Sequence, residues 1–175
     1  MPATLHDRTH EPAPTGRRVV VASAITALLT LVGVGILISV TISSPGPQRI
    51  PMIVATLLIP AALAVYWSCA RIVAYRISGG MLIVERRLLS RRFSLDQVAS
   101  SEIASDVMRG AWKFYGNDGL GAIAGSYRSR RWGRFRAYLS DPSRAVVLHL
   151  RDGRALIISP AHPEVFERDL QARLS

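Results

Sequence analysis

VVVASAITALLTLVGVGILISVTI, residues 19–42, is a run of 24 side chains without a charge. As a helix it is about 36 Å long at 1.5 Å per residue, against a hydrocarbon core of roughly 30 Å. A second run, IPMIVATLLIPAALAVYWSCA at residues 50–70, adds 21 uncharged positions, or about 31 Å of helix. It opens with Pro51 in the first turn, where a missing N–H costs nothing, and it ends with Tyr66 and Trp67 at interface depth. Residues 43–49 between the runs are rich in proline and glycine and too short to hold a domain, so the pair predicts an antiparallel transmembrane hairpin. Pro60 predicts a kink in the second span. Gly33, Gly35 and Ser39 offer either close packing between the helices or lipid-facing positions.

Outward from the hairpin the composition changes. The 52 positions between Arg18 and Arg71 hold one charged residue, Arg49, whereas the other 123 hold 33. Residues 71–175 therefore read as a soluble domain, large enough for one small core and too small for a large enzyme fold. The net charge of +10 comes from 21 Arg and one Lys against 12 acids. It favours anionic partners: lipid headgroups, nucleic acid or acidic proteins. The single Cys69 excludes an internal disulfide framework and a cysteine-rich zinc site.

Arg8, Arg17 and Arg18 precede the first span and Arg71, Arg76, Arg86 and Arg87 follow the second, with only Arg49 in the loop. The positive-inside rule then puts both termini in the cytoplasm of a multi-pass protein of a bacterial inner membrane. Arg17 and Arg18 loosely resemble a twin-arginine export signal, but the apolar run is too long for one and no small-x-small cleavage site comes after it. Residues 1–18, with Pro2, Pro12 and Pro14, read as a flexible cytoplasmic tail.

Beyond Arg71 the period shortens to alternating segments separated by turn signals, the pattern of an antiparallel β domain. Residues 73–78 and 81–85 flank Gly79 and Gly80 as a tight hairpin, and further strands are expected at 91–94 and 98–104. A glycine-rich loop is expected at 116–125, then two short strands within 127–138 meeting near Trp132 and Gly133. Residues 145–150 and 155–159 flank Asp152 and Gly153, which suit a tight hairpin turn. Pro163 opens a closing helix whose apolar positions are Val165, Phe166, Leu170 and Leu174. The predicted class is α+β: the two-helix hairpin, then about seven strands in a barrel capped by that helix.

Gly133-Arg134-Phe135-Arg136-Ala137-Tyr138, the hairpin from Val146 through Asp152-Gly153-Arg154, and Ile158-Ser159-Pro160 with Pro163-Glu164-Val165-Phe166 after it together resemble the bacterial pleckstrin-homology-like family. The resemblance implies a seven-stranded barrel or sandwich capped by a helix, often beside one or two membrane helices, and no catalysis. The wider fold binds phosphoinositides through bases in its first hairpin loop. That loop is here Ser78-Gly79-Gly80, which has no base.

The most charged segment interleaves Arg128, Arg130, Arg131, Arg134 and Arg136 with Tyr127, Trp132, Phe135 and Tyr138. These five arginines and Trp132 are the candidate partner-binding residues, for anionic lipid headgroups or an acidic protein; the alternative is a solvated basic face. Nucleic acid is not expected beneath a bilayer, and no recognition motif supports it. Gly119-Leu120-Gly121-Ala122-Ile123-Ala124 matches G-x-G-x-x-A, a string with meaning only inside a βαβ unit. His6 and His10 sit four apart in a proline-containing tail, and His149 and His162 read as structural. No nucleophile with its base, paired carboxylate, phosphate loop or metal quartet appears, so no catalytic residue, cofactor or metal is assigned. The expected function is a non-catalytic binding or scaffold module; the alternative is an accessory subunit or a membrane enzyme with a concealed site.

Overall fold

The structure is a computed structural model that describes residues 7–43, 46–87, 89–118 and 121–174. Helices α1 (Arg17–Ser43) and α2 (Arg49–Ala70) form the hairpin, joined through a 3-10 turn at Gly46–Gln48. Both are long and apolar enough to cross a membrane. Their large side chains face outward: Leu28, Leu31, Ile42 and Leu57 are each more than 60% exposed, an arrangement that water penalises and lipid does not. Thr26, Thr30, Thr41 and Thr56 donate to the carbonyl four residues back, so their hydroxyls are satisfied inside the helix. Helix α2 continues through Pro60. A Cβ added at Gly33 or Gly35 would meet nothing within 4 Å, so these glycines do not mark a close approach of α2.

Among the described residues the soluble part has ten strands. β1 (Arg8–His10), β2 (Ile72–Ser78), β3 (Met81–Arg86) and β4 (Arg91–Ser94) form one sheet in that order. The second sheet contains β5 (Val98–Ala104), β6 (Trp112–Asp118), β7 (Ile123–Ser129), β8 (Gly133–Leu139), β9 (Ala145–Leu150) and β10 (Ala155–Ile158), ordered β5-β9-β10-β8-β7-β6. α3 (Pro163–Leu174) closes the chain. The expected seven-stranded antiparallel barrel is corrected in two respects. The larger sheet has six strands and does not close, and β8 pairs with β10 in parallel. That pairing joins segments separated by strand β9, a relation that local alternation does not encode.

Glycine serves two different ends in these sheets. Gly79 and Gly80 take φ of 54° and 72° between Ser78 and Met81, a conformation glycine adopts without steric cost. Gly116 and Gly125 face each other across β6 and β7, where a Cβ on either would run into the opposite backbone. The segment expected as a glycine-rich loop is therefore mostly a hairpin held close by missing side chains. Gly119 and Leu120 of the G-x-G-x-x-A string lie outside the described residues, and the string runs on into strand β7 rather than a helix.

The main core lies between the four-stranded sheet, one face of the larger sheet and α3, and includes Tyr75, Ile77, Leu82, Leu148, Leu156, Phe166 and Leu170. Of the stripe expected on α3, Phe166 and Leu170 are fully buried, whereas Val165 and Leu174 are partly exposed. The opposite face of the larger sheet carries a second core: Tyr127, Phe135, Leu139, Val147 and Ile157, covered by Val107, Met108 and Val19. Val19 belongs to the first turn of α1, so the helical hairpin and the β domain share one hydrophobic core.

The described residues of the N-terminal tail pack against the β domain. β1 extends the β2 edge, Pro12 bridges to Pro160, Ala13 donates its N–H to Ser159, and Gly16 donates its N–H to the Ser140 carbonyl at 3.0 Å. Arg8 pairs with Asp169 at 3.1 Å, and the His10 ring sits edge-on to Phe166. Burial lowers the pKa of His10, and Arg8 and Arg173 act in the same direction; Asp169 opposes them. His10 is therefore suited to a neutral ring in this packing.

Tyr75 ties the sheets to this strap. Its hydroxyl donates to the Tyr138 carbonyl at 2.8 Å and accepts from the Ser159 N–H at 3.2 Å, and burial pushes the phenol up to about 12. Tyr75→Phe leaves both backbone groups buried without this partner, a loss of about 1–3 kcal/mol. The expected result is a thermal midpoint lower by roughly 5 °C or more in a melt of the full-length chain; an unchanged midpoint would show that the hydroxyl does not contribute.

Candidate functional site

The arginine-rich segment forms the β7–β8 hairpin. Arg128 pairs directly with Arg134, Ser126 with Arg136, and Tyr127 with Phe135. Alternation therefore places Arg128, Arg134 and Arg136 on one face and buries Tyr127 and Phe135 on the other, where their rings stack at 5.6 Å. Arg130 and Arg131 sit in the turn, outside this strand alternation. Trp132 is buried in the second core, with the Arg131 guanidinium 4.3 Å from its ring centre. Its ring is engaged within the protein and anchors the turn.

The exposed arginine face forms one wall of a cleft between the two sheets, with a volume of about 690 Å³. Arg134 and Arg136 line it on one side and Arg92 and Phe93 of β4 on the other. Phe114 and Tyr115 of β6 flank it, Leu150 and Leu156 give it an apolar floor, and Arg154 stands at the β9–β10 turn. Among the described residues four arginines and no acid line this cleft. Arg154 is held by Asp152 through a 2.7 Å hydrogen bond, and the Arg134 guanidinium lies 5.8 Å from the Phe114 ring centre. Arg92, Arg134 and Arg136 have no carboxylate partner among the described residues. Three cations held together without neutralisation repel one another, and an anion entering the cleft relieves that repulsion.

A second hollow of about 980 Å³ lies beside the first, bordered by Arg109, Trp112, Lys113, Arg128, Arg130 and Arg131. Trp112, Phe114 and Tyr115 are 80%, 59% and 64% exposed. Sequence reasoning misses this strand because the glycines after it carry the stronger local signal. The available signal is the run Trp112-Lys113-Phe114-Tyr115, three aromatic residues around the chain's single lysine. Arg92 and Arg154 are missed because only the sheet packing brings them near Arg134.

The histidines have structural settings. His149 contacts Glu102 at 2.8 Å across β9 and β5, and His10 packs on α3; His6 lies outside the described residues. Among the described residues no group of His, Cys, Asp or Glu is arranged to hold a metal ion.

A family model described as bacterial PH domain matches residues 73–174. No curated protein and no solved structure matches the chain.

Proposed function

Because the chain belongs to the bacterial PH domain family, we propose that it is a membrane-anchored binding module, non-catalytic, that takes an acidic segment of a protein partner at the cytoplasmic face of the cell membrane. In this reading α1 and α2 both span, and the arginines before α1 and after α2 keep the domain inside. The observation that carries the ligand class is the cleft: Arg92, Arg134 and Arg136 line it from two sheets with no acid beside them among the described residues. A flat headgroup layer cannot enter between two sheets, whereas an extended peptide can. The aromatic rings beside the arginines give such a peptide apolar surface as well as charge. Arg128, Arg130 and Arg131 lie outside the cleft and face the neighbouring hollow.

The test uses the full-length chain in nanodiscs of zwitterionic lipid, titrated with poly-glutamate and, separately, with vesicles rich in anionic lipid. Saturable binding of poly-glutamate that weakens as salt rises is the expected result. Binding of the anionic vesicles with none of the peptide would transfer the site to lipid, and binding of neither would remove the anion role.

A further inference from the structure

The inner ends of the helices fix how the larger sheet stands beneath the bilayer. Gly16 donates its N–H to Ser140, just beyond β8, and seven residues later the Ser23 hydroxyl accepts the Gly121 N–H, just before β7. Those seven residues rise about 10.5 Å along α1. In the pairing of β8 with β7, Leu139 stands opposite Ile123, so Asp141 and Gly121 share a level along the strands. The climb along α1 therefore crosses the strands from β8 toward β6. A Cβ at Gly121 would meet the Trp67 indole at 3.1 Å and the Arg71 side chain at 2.9 Å, so the inner end of α2 lies at this same height. Val19, in the first turn of α1, shares a buried cluster with Tyr127 of β7, so the start of α1 packs on that face of the sheet.

Strand β6 is the last in the sheet, so among the described residues one of its edges carries no partner strand. It is also the strand with Trp112, Phe114 and Tyr115 exposed, and Arg109, Lys113, Arg128, Arg130 and Arg131 border it. Aromatic rings with a polar end favour the headgroup level of a bilayer, and basic side chains beside them favour an anionic leaflet. We infer that β6 is the membrane-seated edge of the domain, with Trp112, Phe114 and Tyr115 inserted among the headgroups of an anionic cytoplasmic leaflet and the surrounding bases on its phosphates. The inference rests on the two-span reading above, and it concerns lipid at the β6 edge, which adjoins the peptide cleft through Phe114 and Tyr115. It also accounts for an exposed aromatic edge strand that would otherwise invite pairing with another chain.

The experiment reconstitutes the full-length chain in vesicles of brominated phosphatidylcholine with and without phosphatidylglycerol. Trp67→Phe and Trp132→Phe leave Trp112 as the single tryptophan. Because Trp132→Phe touches the core, a second chain keeps all three tryptophans and carries a nitroxide at position 114 through Phe114→Cys with Cys69→Ser. With the anionic lipid present, Trp112 emission is expected to shift to the blue and lose more than half its intensity to the bromines, while iodide in the water leaves it unchanged. The nitroxide is expected to collide with oxygen more than with a water-soluble nickel complex. Iodide quenching of Trp112 together with a water-exposed nitroxide overturns the inference, as does a cross-link between two copies through β6. Alkaline carbonate extraction of the same vesicles separates the two claims. Release of the chain defeats the spanning reading itself, whereas a retained chain with Trp112 in water defeats only the seating of β6.

Discussion

Replacing Arg92, Arg134 and Arg136 together by Gln lowers the affinity for an acidic peptide by about a hundredfold. Each arginine is exposed on at least one side, so each contact with a carboxylate is worth about 1 kcal/mol, at the upper end for exposed ion pairs because the cleft restricts solvent. Three such contacts give about 3 kcal/mol, and each 1.4 kcal/mol is tenfold. The proper control changes net charge by the same amount elsewhere: Arg87, Arg144 and Arg168 are exposed and lie outside the cleft. Their combined replacement by Gln alters only the diffuse field, which falls off within a Debye length of about 8–10 Å at ordinary salt. Isothermal titration of both variants with poly-glutamate decides the matter. Equal losses in the two would mean that the peptide senses overall charge and that the cleft is not its site.

Phe166→Ala is the second large effect, and it acts on stability. The ring is fully buried in the main core, with Leu170 of the same helix and Leu148 and Leu156 of the larger sheet in the same cluster. Phenylalanine-to-alanine changes at such sites cost about 3–5 kcal/mol, from lost transfer energy and the cavity left behind. Small domains have only about 5–15 kcal/mol in total, so the domain approaches its unfolding threshold. The damage extends to the N-terminal strap, because the His10 ring packs edge-on to Phe166 at 5.0 Å and Arg8 pairs with Asp169 on the same helix. Hydrogen exchange in the amides of β1 is expected to rise along with that of α3. Val165→Ala, one position away and 42% exposed, is expected to change stability by about 0.5 kcal/mol or less. Similar thermal midpoints for the two variants would show that α3 is not part of the core.

Legibility in the sequence tracks the range of the interaction. The helical hairpin is legible because lipid solubility is a property of a local run, and residues 19–42 carry it without reference to the rest of the chain. The turns at Gly79-Gly80 and around Gly153 are equally local, since each rests on glycine in the positive-φ region. Strand β1 is not legible. It has three residues, its partners lie more than 60 positions away on β2, and Pro12 and Pro14 around it carry the ordinary mark of a loose tail. The close approach of Gly116 and Gly125 is hidden for the opposite reason: glycine signals a loop and a tight strand pair alike, and only the backbone opposite tells them apart.

The candidate site divides in the same way. The arginines of the β7–β8 hairpin are adjacent in sequence, and alternation places Arg128, Arg134 and Arg136 on one face once the turn is known. Trp132 carries the same local pattern, but the second core takes it inside. The cleft depends on β4 and the β9–β10 turn reaching the same space as β8, and Arg92 and Arg154 have no spacing that announces it.

The placement of the domain relative to the bilayer is the point on which the binding and seating claims both depend. In a Cys69→Ser background, single cysteines at Gly46 in the helical turn and at Ser143 in the β domain are both on exposed positions. Treated in intact cells with a membrane-impermeant maleimide, position 46 is predicted to react at once and position 143 only after lysis. Labelling of position 143 in intact cells would contradict the account.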